Sequence, residues 1–158
     1  MIELQVSNKI LTEAKSRATK LGKLNNSITE GAGNIAGYIG QLIVAEYLNA
    51  EEPDNYNFDV KKDNTTYEVK TKRCTSRPRR EYDCSVSDFN TKQNCDYYLF
   101  VRVLEDFSKA WILGKKKKAD YFNEARFCEK GKVDEKSTFG WKFKADCYNL
   151  EISKLENI

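Results

Sequence analysis

Histidine is missing from all 158 positions of the chain. Its absence removes Ser-His-Asp hydrolases, Cys-His proteases, zinc hydrolases built on histidine ligands, and nucleases with a histidine base. Any hydrolytic chemistry must therefore rest on carboxylates, lysine, tyrosine or a metal held by oxygen ligands. The five cysteines, Cys74, Cys84, Cys95, Cys128 and Cys147, are odd in number, and none stand at a Cys-x-x-Cys spacing. That argues against a disulfide framework or a zinc cluster and for reduced thiols. No apolar run approaches the ~18 residues needed to cross a bilayer. The opening Met1-Ile2-Glu3-Leu4-Gln5 lacks a basic region followed by an apolar stretch, so a cytoplasmic protein with no membrane partner is expected. Repeats and low-complexity linkers are absent as well.

What is present suits one folded domain over residues 1–158, with 40% hydrophobic and 12% aromatic residues. A net charge of +3 carries no argument about nucleic acid, but its distribution does. Residues 69–80 hold six cations (Lys70, Lys72, Arg73, Arg77, Arg79, Arg80) and no acid. A second basic block spans 115–118. Either block can be a solvated face or a phosphate-binding surface.

Apolar residues at Val6, Ile10, Leu11, Ala14, Ala18 and Leu21 recur near a 3.6-residue period and predict a first helix over residues 3–22, stopped by Gly22 and Asn25-Asn26. Ser27 and Glu30 have capping-box spacing, and a second helix is expected over 34–49. Period two then takes over. A strand through Tyr56, Phe58 and Val60, a turn at Lys62-Asp63-Asn64 and a strand over 66–72 read as a hairpin. The arginine-rich segment around Pro78 reads as a loop. Further strands are expected over 82–86, 97–104, 109–113 and 147–152, with a short helix from Ser87 or Asp88 to Gln93 and another over 120–130 closed by Gly131. This order defines an α/β (α+β) domain around a mixed sheet.

One constellation carries chemistry. Within the second hairpin strand, period two places Glu68 and Lys70 on one face and turns Val69 inward. On the preceding strand Asp59 points opposite to Phe58 and Val60, so the hairpin can bring Asp59, Glu68 and Lys70 together. Two carboxylates are the hard oxygen ligands that Mg²⁺ prefers. A lysine beside them can orient a water or stabilise charge on a phosphate.

The chain reads Gly37-Tyr38-Ile39-Gly40-Gln41-Leu42-Ile43-Val44-Ala45-Glu46-Tyr47-Leu48, then Phe58-Asp59-Val60, then Tyr67-Glu68-Val69-Lys70-Thr71-Lys72. In order and spacing this resembles the PD-(D/E)XK nuclease superfamily of restriction enzymes, archaeal Holliday-junction resolvases and phage and repair nucleases. Members often read G-x-x-G-E with Y-L, then x-D-x, then V-E-V-K-x-R. The resemblance covers residues 33–73, with weaker support to 104.

The resemblance implies a restriction-endonuclease-like core, a mixed β-sheet flanked by helices, and a nuclease that cuts DNA phosphodiester bonds with Mg²⁺ (or Mn²⁺). Asp59 and Glu68 would be metal ligands, joined by the Val69 carbonyl, and Lys70 would be the catalytic lysine. Lys72, Arg73, Arg77, Arg79 and Arg80 would grip the DNA backbone. A homodimer is implied too, because many members of the fold pair to cut both strands.

Two positions depart from the pattern. Phe58 stands where proline is usual, and Gln41 stands where the helix glutamate is usual. An amide can hold a water or metal through its oxygen but adds no charge. Gln41 therefore keeps open a second reading, a weakened or inactive DNA-binding protein on the same fold. Glu46 is the alternative helix carboxylate, unless it only reaches solvent at the helix end. Trp111 and Trp141 are expected as core or cover rather than stacking platforms. Asp83, Asp88 and Gln93 lie near the next expected strand and helix and either touch the site or only cap and turn.

Overall fold

The computed structural model describes residues 1–21, 33–137 and 139–158. Among them the chain forms β1 (Ile2–Gln5), α1 (Asn8–Leu21), α2 (Gly33–Leu48), β2 (Val60–Lys62), β3 (Thr65–Cys74), β4 (Asp83–Ser87), a 3-10 turn at Asp88–Asn90, β5 (Tyr97–Leu104), β6 (Lys109–Lys117), α3 (Lys118–Glu124), β7 (Arg126–Cys128) and β8 (Cys147–Glu151), with a last 3-10 turn at Ile152–Lys154. The expected α+β class holds. Its strands are split between two sheets, a five-stranded one in the order β1-β6-β5-β3-β2 and a three-stranded one in the order β4-β8-β7. β3 and β5 run parallel, and the other pairs are antiparallel.

The central strands are buried on both faces, as their near-continuous apolar sequence requires. Leu99, Val101 and Val103 of β5, with Ala110 and Ile112 of β6, pack under Ile10 and Ala14 of α1 and Ile39, Ile43 and Val44 of α2. The alternate residues, Tyr98 and Phe100 of β5 with Trp111 and Leu113 of β6, face the small sheet and α3 through Val86, Tyr121 and Leu150. The molecule is thus layered: two helices, the large sheet, then the small sheet with α3.

The first helix begins later than its apolar period suggests. Residues 2–5 form a strand on β6, with Ile2 opposite Ile112 and Leu4 opposite Ala110. Ile2 and Leu4 are half-buried while Glu3 and Gln5 alternate with them as exposed residues, a period of two that Val6 continues but that also fits the start of the helical repeat. Ser7 then caps the helix, its Oγ accepting the Ile10 N–H at 3.2 Å. The helix expected over 120–130 stops at Glu124, because residues 126–128 pair with β8. The hairpin strand expected from Tyr56 is regular only from Val60. The capping box at Ser27 and Glu30 lies outside the described residues. No helix among the described residues is long and apolar enough to cross a membrane.

Candidate functional site

The site is built where a short strand leaves a long one uncovered. β2 pairs with β3 only from Lys62 opposite Thr65 to Val60 opposite Tyr67. The ladder ends with the Asp59 N–H donating to the Tyr67 carbonyl at 3.0 Å. Beyond that point the Asp59 side chain takes over from the backbone, its Oδ2 accepting the Val69 N–H at 2.8 Å. A strand residue turns its N–H and C=O to the same edge, so the Val69 carbonyl also faces the side that β2 has left. On the opposite flank of Asp59 lies α2. It can approach because residue 40 is glycine: a methyl group there would drive into the Thr71 side chain. This contact seats Gln41 beside the hairpin, its Nε2 donating to the Asp59 carbonyl at 3.5 Å.

Glu68 and Lys70 lie on the β3 face that looks toward the small sheet, in register with Tyr98 and Phe100. Glu68 is only 6% exposed, more deeply set than a solvent-facing strand residue. A buried carboxylate needs partners, and it has two: Lys70 Nζ at 2.9 Å and Gln93 Nε2 at 2.8 Å, both on Oε1. Gln93 closes the triangle by accepting from Lys70 Nζ at 2.8 Å, and it also donates to the Tyr56 carbonyl at 3.3 Å. Its own carbonyl accepts from Lys118. Gln93, which the sequence leaves open between reaching the site and capping a turn, is thus a site residue. It lies in an irregular stretch and reaches Glu68 only because β5 runs parallel to β3.

Burial and the neighbouring Glu68 carboxylate push Asp59 up to about 7, against the Val69 N–H and Lys70, which favour the ionised form. Asp59, Glu68, Lys70 and Gln41 all border one cleft of about 650 Å³. Its floor is the uncovered part of β3. One wall is α2, and the other is the small sheet with the segment between β7 and β8. Lys72 borders it too. Solvent reaches Lys72, yet the surrounding protein and Arg102 hold its ammonium below the ordinary lysine range.

The other expected residues lie elsewhere. Arg73, Arg77, Arg79 and Arg80 do not border the cleft. After β3 the chain crosses the end of the sheet, so that Arg77 acts on Glu3 of β1 at the far edge, and Arg79 binds the Tyr82 hydroxyl at 2.9 Å and Glu81 at 3.3 Å. Adjacency in sequence to β3 therefore does not place the arginines beside the carboxylates. Glu46 is exposed at the end of α2 and is not part of the cleft lining. Three lysines of the block at 115–118 have structural partners: Lys115 lies over the Tyr97 ring, Lys116 pairs with Glu124 at 2.8 Å, and Lys118 holds Gln93, while Lys117 is exposed. Trp111 is core, 3% exposed, its Nε1 donating to Glu3 at 3.0 Å, whereas Trp141 is exposed on the cleft.

The donor set fits a hard divalent cation. Among the described residues, no hydrogen bond engages Asp59 Oδ1 or Glu68 Oε2. With the Val69 carbonyl and the Gln41 amide oxygen they make an all-oxygen set of two charges, the kind Mg²⁺ takes while keeping several waters. No group of three or more carboxylate or thiol side chains suited to a metal occurs among the described residues, so water or substrate would complete the shell. No protein-family model and no curated protein sequence matches the chain.

Proposed function

We propose that the chain is a divalent-metal-dependent nuclease of the PD-(D/E)XK kind, hydrolysing DNA phosphodiester bonds. The observation that carries this reading is the meeting of Asp59, Glu68 and Lys70 at the end of a hairpin beneath α2. The chemistry that Mg²⁺ (or Mn²⁺) would supply there is polarisation of a phosphate and a water of lowered pKa. Asp59 and Glu68 would hold the ion with the Val69 carbonyl. Gln93 keeps the Glu68 carboxylate and the Lys70 ammonium at fixed positions. Lys70 then presents a positive charge where a phosphate oxygen gains negative charge, a stabilisation that needs no rearrangement of the protein. Gln41 contacts the Asp59 backbone carbonyl through its Nε2 and borders the cleft, where its amide could hold a water.

A second reading, a DNA-binding protein without catalysis, draws on the neutral Gln41 and on the partners that already occupy Lys70. Cleavage of single-stranded, duplex and branched DNA with Mg²⁺ or Mn²⁺ separates the two. Glu68→Gln and Lys70→Ala are expected to lower the rate by ~10²-fold or more, with unchanged circular dichroism. Equal background activity in the wild type and both variants would discard the nuclease.

A further inference from the structure

Among the described residues, the cleft wall opposite α2 is an arm held by its own hydrogen bonds. Between β7 and β8 the chain doubles back on itself: Gly131 N donates to the Phe143 carbonyl at 2.8 Å, Phe143 N to the Lys132 carbonyl at 3.0 Å, and Asp134 N to the Trp141 carbonyl at 2.8 Å. Ser137 Oγ accepts the Trp141 N–H at 3.0 Å. Lys136 fastens the arm to the small sheet through Asp83 and Glu151, each at 2.8 Å. The arm thereby presents Trp141, 45% exposed, on the cleft lining, braced edge-on by Phe143 with ring centroids 5.2 Å apart. Lys144 follows on the same wall. The acids on that side are already paired, Asp83 with Arg126 and Lys136, and Asp134 with Arg126 at 3.8 Å. An exposed indole held rigidly beside lysines is the combination that takes a nucleic-acid strand by stacking on a base and following its phosphates.

We infer that the cleft accepts DNA as an unpaired strand, with a base stacked on Trp141, and not as an intact duplex. In a duplex the base faces are covered by their neighbours, and an indole reaches them only where the base is free or turned out. The dimensions agree. A cleft of about 650 Å³ walled by α2 on one side and the small sheet on the other falls among pockets that hold small ligands, a size that suits an unpaired nucleotide. Lys70 and Lys72 on the floor and Lys144 on the wall would take the phosphates, with the carboxylates at the depth of the cleft.

This inference rests on the nuclease reading for the choice of DNA, and the experiment separates the two. Binding of fluorescein-labelled oligo-dT and of a duplex of equal length is measured by anisotropy, with Ca²⁺ in place of Mg²⁺, alongside tryptophan emission. Oligo-dT is expected to bind more tightly than the duplex and to quench the emission. Trp141→Phe should remove most of the quench and keep most of the affinity, while Trp141→Ala should lose about tenfold in affinity. Trp111 is buried and reports folding in both variants. A duplex bound as tightly as the single strand, or Trp141→Ala matching the wild type, overturns the inference. Mg²⁺-dependent cleavage of duplex DNA unaffected by Trp141→Ala would do so too while leaving the nuclease standing. Single-strand binding lost in Trp141→Ala, with no cleavage of any substrate, would support the stacking wall and discard the nuclease.

Discussion

The Asp59 carboxyl makes the metal-free protein sensitive to pH near neutrality, and the sign follows from its environment. An acid whose folded pKa is raised keeps its proton in the folded state while the unfolded chain has lost it. Folding therefore weakens as pH climbs from the ordinary 3.8 toward about 7 and is then constant. One pKa unit is worth about 1.4 kcal/mol. From pH 5 to pH 8 the loss would be about 3 kcal/mol, and about 2 kcal/mol after screening by water at the cleft mouth. Asp59→Asn removes the charge while keeping an oxygen to accept the Val69 N–H. With chelator present, the variant should gain on the wild type by about 4–8 °C in Tm between pH 5 and pH 8. The chain has no histidine, and burial pushes the Cys84 and Cys95 thiols up to about 12 and about 11, so few other groups titrate in that window. Millimolar Mg²⁺ should narrow the gap, because only the folded wild type gains from the ion. A Tm difference that does not change with pH would refute the argument by showing that Asp59 is already ionised at pH 5.

Gly40→Ala should destabilise the fold by about 1–3 kcal/mol in denaturant titration, since α2 must back away from Thr71. Cleavage should fall further than stability alone explains, because Gln41 moves with the helix. Gln93→Leu deprives Glu68 and Lys70 of a shared buried partner, with an expected cost of about 1–3 kcal/mol. A variant as stable as the wild type would show that the amide is dispensable. Replacing Lys72 and Lys144 with alanine should flatten the salt dependence of DNA affinity by about one to two units. The same change at Arg77, Arg79 and Arg80 should leave it nearly unchanged, and the reverse result would move the DNA path to the far edge of the sheet.

Local patterns identified the elements that combine strong periodicity with a clear stop. β5 at Tyr97–Leu104 and the turn at Asp63, whose φ of 53° an aspartate tolerates, are both legible in the chain. β1 was hidden because Val6, the last residue of its alternation with Ile2 and Leu4, also opens the helical repeat that follows. β7 was hidden because its three residues are a strand only through β8. The division into two sheets depends on which strands pair, and no local pattern encodes that. In the site, Asp59, Glu68 and Lys70 were readable because hairpin geometry links them within a dozen residues. Gln93 and Trp141 reach the cleft through the tertiary fold, and the arginine loop leaves it the same way, so their neighbours in sequence say little about either.

The pairing of β1 with β6 has a consequence for how the chain is made. Leu4 meets Ala110 and Ile2 meets Ile112, so the first strand has no partner until more than a hundred further residues have been synthesised. At about 5–20 residues per second that wait is roughly 5–20 s. The hairpin bearing Asp59 and Glu68 can close long before, while Gln93, which steadies Glu68, is still inside the ribosome. During translation the carboxylates thus face each other without their buried clamp, and the apolar edge of residues 2–5 is open to unpaired strands of other chains. The nascent chain is expected to be most prone to aggregation, and to lack a working site, until β6 has emerged.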